Sequence, residues 1–387
     1  MMLRPRPGKA SEMSEETRRL IWALMALFIG ARLLVLGGPL DVPDWRQADT
    51  AYMAYRMWQE SPPQLLHPKT PFRGAADVKA AEFPVYPFVV SLVWKLLGRE
   101  SLAAARLVTL AFFAGAVAYA FLAIRLLLGR RVAWLTAAAY ALLPLGVPYS
   151  RMVHPDFCII FFCHAFLYHA TAFVRRQRIR DYAAATASAI LFFLMKAPYG
   201  FYLILVPAVI VLHEWGGRRL RGLTLLGSMF VVPLVLGWWF NQWRLQLEAP
   251  YRESLAYPMK WTAESLRQRF FGTAAQRLDL GAWDRLIRRS VILVFTVPGA
   301  LLALYGGGAA LARRESRRAA LVFWVLCGGV TLYTVVVFPM VASDHEYYSL
   351  PFLLPAALGC ALGLDRLLAA RVVAVRRGLA VLVSAVV

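Results

Sequence analysis

Acidic residues are scarce in this chain. Its 387 residues hold 22 Asp and Glu against 43 Lys and Arg, a formal net charge of +21, and charged residues of both signs make up only 17%. A soluble domain carries about 25% charged and about 45–50% apolar residues. Here 60% are hydrophobic and the mean hydropathy is +0.55, which excludes an ordinary soluble protein of this length. Cysteine is equally sparse: Cys158, Cys163, Cys327 and Cys360 all lie inside apolar runs, without the paired spacing of a zinc or redox motif. They read as small buried hydrophobes. A cleavage site of small residues is also missing after the first apolar run, 20–38. That run therefore reads as an uncleaved span, and residues 1–19, with Arg4, Arg6, Lys9, Arg18 and Arg19, as a cytoplasmic N-terminus.

What is present is a series of apolar runs of about 20 residues, the length that crosses a bilayer as a helix. The composition and pattern predict an all-α polytopic membrane protein, a single integral domain over 1–387, with about ten or eleven spans. Its arginines flank the spans, where they set orientation, so the basic balance does not point to nucleic acid. Basic clusters at 129–131, 175–180, 218–221, 313–318 and 366–377 are assigned to the cytoplasm. Segments rich in Pro, Asp, His and aromatic residues alternate with them, and these face the other side.

Parity gives ten spans: 20–38, 102–128, 132–149, 157–174, 182–195, 198–212, 222–240, 291–311, 319–338 and 349–368. An eleventh run begins at Gly378 and is still apolar at Val387, which reads as an interrupted span. The first outer loop is 39–101, and a helical outer loop, the only sizeable polar part, covers 241–290. Within the first loop, 84–98 is apolar but about half a bilayer long as a helix, and carries Pro87 and Lys95. It reads as an interfacial or re-entrant helix; a tilted short span is the alternative.

The outer segments hold the chemistry. Asp44-Trp45-Arg46-Gln47-Ala48-Asp49 opens an amphipathic stretch with Ala51, Tyr55 and Trp58 at helical spacing. It places two carboxylates and an arginine at the start of a surface helix, although Asp44 with Gln47, or Asp49 alone, also fits helix capping. Next come Glu82, ahead of Phe83-Pro84, and His154-Pro155-Asp156 at the mouth of a span. An imidazole and a carboxylate there can ligate a metal or orient a substrate, while Asp156 after a proline also fits an N-cap. His345 and Tyr347 stand at the mouth of the last span, in a segment that is either a binding rim or a solvated loop. Lys196 lies within the otherwise apolar stretch 182–212. An ammonium there needs an anionic partner, water or a route to the surface.

These motifs, in this order between spans, resemble the bacterial polyprenyl-phosphate-sugar-dependent glycosyltransferases of the superfamily C fold. Those are relatives of the family 39 protein O-mannosyltransferases and of the aminoarabinose transferase that modifies lipid A. The matching elements are 44–51, Glu82 to Phe88, Leu126 to Arg131, Tyr149 to Asp156, Leu194 to Pro198, and His345 to Pro355. The resemblance implies the superfamily C fold, a polyprenyl-phosphate-linked sugar donor, and a glycan, lipopolysaccharide or protein acceptor. It places the active site on the outer face of a bacterial inner membrane. It makes Asp44 the catalytic base, with Asp49 as the alternative. Trp45 and Phe83 stand where the family commonly has an acid and a lysine, so the lipid-phosphate contacts fall to Arg46 and Lys196. Glu82, His154, Asp156, His345 and Tyr347 are left to shape the sugar or acceptor pocket. Glu82, His154 and Asp156 are also the candidates for a divalent ion, although cations alone suffice to neutralise a phosphate.

A transporter or flippase of lipid-linked sugars also needs cations and aromatics at membrane depth. The clustering of candidates on one side and the lack of an inverted repeat count against it. A glycan polymerase or ligase of a different fold predicts one dominant outer loop, whereas here the candidates divide between two.

Overall fold

The computed structural model describes residues 15–34, 36–38, 45–69, 82–249, 263–312, 316–342 and 345–369. Asp44, the loop tips 70–81, 250–262 and 343–344, and the C-terminal apolar run lie outside them. Among the described residues the chain is helical throughout and forms no strand. The first half holds α1 (Glu15–Leu33), α2 (Trp45–Gln59), α3 (Val85–Leu97), α4 (Leu102–Leu128), α5 (Arg130–Leu142), the short α6 (Gly146–Tyr149), α7 (Asp156–Arg176), α8 (Ile179–Lys196) and α9 (Leu205–Glu214). The second holds α10 (Arg219–Ser228), α11 (Val231–Glu248), α12 (Ala263–Phe270), α13 (Ala274–Leu278), α14 (Leu280–Arg289), α15 (Val297–Ala312), α16 (Arg317–Val336), α17 (Phe338–Ala342) and α18 (Leu353–Ala369).

Among the described residues five helical runs are long and apolar enough to cross a bilayer: Leu102–Leu128, Asp156–Arg176, Gly216–Leu247, Arg317–Val336 and Glu346–Ala369. Two pairs pass the same test together but are sharply bent, Ile179–Tyr199 with Phe201–Glu214 by 111° and Leu280–Phe295 with Val297–Ala312 by 94°. The remaining expected crossings are shorter or more charged. The run expected at 132–149 breaks at Pro144, which has no N–H to continue a helix, so α5 ends at Leu142. The expected boundary at 241 also moves. The helix through Trp238 and Trp239 runs on to Glu248, because Asn241 to Gln246 are as compatible with helix as the apolar turns before them. Three short helices, α12 to α14, follow within the expected outer loop and pack on α17.

The core is a row of helices, with α4 against α7, α7 against α8, and α5 between α4 and α18. Gly129, at φ 94°, makes the abrupt turn from α4 into α5. On the far side α15 lies along α18 at very close range. A Cβ on Gly306 would stand 2.4 Å from the Gly359 carbonyl oxygen and the Gly363 nitrogen. Gly306→Val should therefore destabilise the protein by about 1–3 kcal/mol, whereas Gly308→Ala, with nothing within 4 Å of its Cβ, should not. Unfolding in mixed micelles reads the difference.

Candidate active site

The site forms where α2, the start of α3, the α6–α7 turn, the end of α8 and the 346–352 turn meet. The buried face of α2 carries Arg46, Gln47, Asp49, Thr50, Met53, Ala54 and Met57. The stripe of Ala51, Tyr55 and Trp58, at helical spacing, is half-buried. The polar start of this helix is thus turned into the protein, and the helix begins at Trp45. Asp49 lies inside the helix and is no N-cap.

Arg46 Nη2 sits 2.5 Å from Glu82 Oε2 and Nη1 3.6 Å from Asp49 Oδ2. Burial alone would depress this guanidinium, but Glu82 and Asp49 more than offset it and hold Arg46 firmly cationic. Burial would likewise raise the Glu82 carboxyl; the charges of Arg46 and Lys196 outweigh it and bring the group down to about 2. A carboxyl whose folded value lies below its ordinary 4.5 adds stability above that ordinary value and loses it as pH falls through the folded one. The stability gap between the wild type and Glu82→Gln should therefore be constant above about pH 4.5 and close towards pH 2, as thermal unfolding across pH would show. A gap that closes above pH 5 would contradict the pairing.

Lys196 ends α8, where Ala197-Pro198 breaks the helix. It is 7% exposed and does not snorkel to the surface. Its Nζ lies 2.7 Å from Asp156 Oδ1 and over the rings of Tyr199, Tyr347 and Tyr348 at 4.5, 4.9 and 4.7 Å. The other Asp156 oxygen is 2.7 Å from His154 Nδ1. Pro155 holds the N-cap position of α7 and makes no side-chain cap, so Asp156 serves as a buried bridge between an ammonium and an imidazole. Tyr347 is buried, stacks on His345 at 5.3 Å and meets His154 at 5.1 Å, while His345 meets Trp45 edge-on at 6.3 Å. The segment is no solvated loop.

All the sequence-derived candidates that are described, Arg46, Asp49, Glu82, His154, Asp156, Lys196, His345 and Tyr347, thus join one cluster. Asp44 precedes α2 but lies outside the described residues. The three divalent-ion candidates do not converge: Glu82 goes to Arg46, and Asp156 with His154 goes to Lys196. Among the described residues no three His, Cys, Asp or Glu side chains form a metal set. Beside the cluster opens a narrow cleft with Arg46 and Glu82 at its polar end and Met53, Pro87, Ile159 and Met195 along its wall.

Sequence reasoning missed the supports. Gln47 Oε1 accepts from the Val153 N–H at 3.1 Å, Thr109 donates to the Met152 carbonyl at 2.7 Å, and Tyr199 donates to the Tyr347 carbonyl at 2.9 Å. It also missed Arg32 and Arg106, both buried. Arg32 donates to Ser150 Oγ at 2.7 Å and to the Ala141 carbonyl at 2.8 Å, and Arg106 to the carbonyls of Leu36 and Gly38. The signal was available, since an arginine inside an apolar run is a functional or structural marker by default.

Residues 79–239 match the family described as dolichyl-phosphate-mannose-protein mannosyltransferase. A comparison with curated protein sequences returned no match. Among solved structures, ArnT from Cupriavidus metallidurans in the apo state is similar over 90% of this chain at 16% identity, with a TM-score of 0.51. The Archaeoglobus fulgidus oligosaccharyltransferase with zinc and sulfate covers 90% at 16% identity and a TM-score of 0.55. The oligosaccharyltransferase AglB from the same organism, in complex with an inhibitory peptide and a dolichol-phosphate, covers 92% at 11% identity and a TM-score of 0.54. This chain spans 60% of the first of these and about half of the other two. Over 90% or more of its length the chain thus shares the fold of these solved structures, and its residues 79–239 resemble the mannosyltransferase family.

Proposed function

We propose that the chain is an inverting glycosyltransferase, moving a sugar from a polyprenyl-phosphate-linked donor to a glycan, lipopolysaccharide or protein acceptor at the outer face of a bacterial inner membrane. The observation that carries this is the pair of cations, Arg46 and Lys196, brought from separate elements and held in place by buried carboxylates. The dolichol-phosphate in the AglB complex is a lipid phosphate of the same class as the proposed donor. A sugar on such a phosphate already has a good leaving group. The protein must set an acceptor nucleophile behind the anomeric carbon, remove its proton, and neutralise the departing phosphate.

Arg46 and Lys196 are the phosphate contacts, each a charge-assisted donor. Asp49 is wholly buried and pairs with Arg46, so it acts by orienting that guanidinium. The base role passes to Asp44, directly ahead of α2. As the acceptor oxygen bonds to the anomeric carbon, its proton goes to Asp44 and the carbon–oxygen bond to phosphate breaks. Among the described residues three carboxylates, Asp49, Glu82 and Asp156, face two cations, so an arriving phosphate needs further positive charge. His345, Tyr347 and Trp45 provide aromatic faces for the sugar or acceptor.

The test is transfer by the purified full chain from a polyprenyl-phosphate sugar, with the anomeric configuration of the product read by NMR, in buffer with and without EDTA. Inversion with activity kept in EDTA is the expected result. Retention of configuration would overturn the single displacement, and loss of activity in EDTA would assign the extra charge to a metal ion.

A further inference from the structure

Arg151 stands apart from every other cation near the site. It lies in the α6–α7 turn, three residues before His154, and is partly buried. Its Nε atom is enclosed by protein without a hydrogen-bond partner. Among the described residues it lies within electrostatic range of another cation, Arg32, whose own guanidinium is spent on the Ser150 hydroxyl and on main-chain carbonyls. The carboxylates of the cluster are committed elsewhere, Glu82 and Asp49 to Arg46, and Asp156 to Lys196 and His154. Two guanidiniums are thus brought together on the α1 side of this turn with no carboxylate between them among the described residues.

That arrangement is costly if it is permanent. Like charges repel, and a guanidinium N–H shut away from water without an acceptor forgoes a strong hydrogen bond. Arg32 is fixed by three acceptors and cannot turn away. Arg151 retains its fork of donors, whose geometry fits the oxygens of a phosphate in bidentate fashion. The turn that carries it is itself rigid: Ser150 is bound by Arg32, Met152 by Thr109 and Val153 by Gln47. Arg151 is therefore held at a fixed place and left without a hydrogen-bond partner for its Nε among the described residues.

We infer that Arg151 is an anion subsite for a phosphate-bearing group, separate from Arg46 and Lys196. A phosphate there takes the free donors of Arg151 and relieves its repulsion with Arg32. The group is either part of the acceptor or the headgroup of a neighbouring phospholipid. The inference does not depend on whether the chain transfers a sugar.

Phenylglyoxal labelling of Arg151 tests it in the unaltered full chain, held in nanodiscs of neutral glycolipid and read by peptide mass spectrometry. Arg151 should react readily, and inorganic phosphate should slow that reaction about tenfold or more at saturation, the protection expected from a charge-assisted bidentate contact. Phosphate binding should weaken about tenfold in Arg151→Gln, recover in part in Arg151→Lys, and persist in Arg46→Gln. Protection by phosphatidylglycerol nanodiscs without added phosphate would identify a lipid headgroup as the source; protection by soluble phosphate alone would identify the acceptor. The inference is overturned if phosphate gives no protection, or if Arg151 is already unreactive without anion. Donor consumption measured on the same sample tests the transferase reading separately: a protein that protects Arg151 yet consumes no donor overturns that reading and leaves this one standing.

Discussion

Lys196→Met should destabilise the folded protein by about 3–5 kcal/mol, because it strands a buried carboxylate without its counter-ion. Asp156 is 1% exposed, and among the described residues its two oxygens pair with Lys196 and His154, each at 2.7 Å. The three tyrosine rings around the ammonium lose their cation as well. The double variant Lys196→Met/Asp156→Leu removes both charges and should recover most of that stability, since a buried ion pair is worth little net against apolar groups of similar volume. Donor use should not recover with it. Unfolding in mixed micelles gives the first quantity and the donor KM the second. If the double variant regains both, Lys196 serves packing and not phosphate.

Asp44→Asn should lower donor turnover by about 10²–10⁴-fold, the range for removing a positioned general base, while the unfolding midpoint stays at the wild-type value. Asp49→Asn should act differently. It leaves Arg46 paired with Glu82 and removes the weaker of the two carboxylate contacts described for it, so it should raise the donor KM about tenfold and leave the chemical step nearly intact. Steady-state kinetics on the two variants separates base from positioning residue. Equal losses in turnover for both would contradict the assignment.

The fold was legible where proline and charge punctuate apolar runs. Pro155 and Pro198 mark the start of α7 and the end of α8, and both fall where the sequence reading placed the ends of spans. It was less legible where a helix changes character without a breaker: α11 carries its tryptophans out to Glu248 because nothing in 241–248 stops it. The site residues were legible one by one, as charges and aromatics misplaced in an apolar chain. Their pairing was not. Lys196 finds Asp156 forty positions away, and Arg46 finds Glu82 thirty-six positions away; such partners are set by how α2, α7 and α8 pack, not by local spacing. For the same reason the sequence did not show that Gln47 holds the Val153 amide.

The most direct test of the central claim, that Arg46 and Lys196 hold the lipid phosphate, is the binding of polyprenyl phosphate itself to the purified chain in nanodiscs. The expected result is saturable binding that weakens about tenfold or more in Arg46→Gln and in Lys196→Gln, the loss of one charge-assisted contact each. Arg178→Gln, on an exposed arginine of the α7–α8 turn, should bind as the wild type does. Absence of binding by the wild type, or wild-type binding by both site variants, would contradict it.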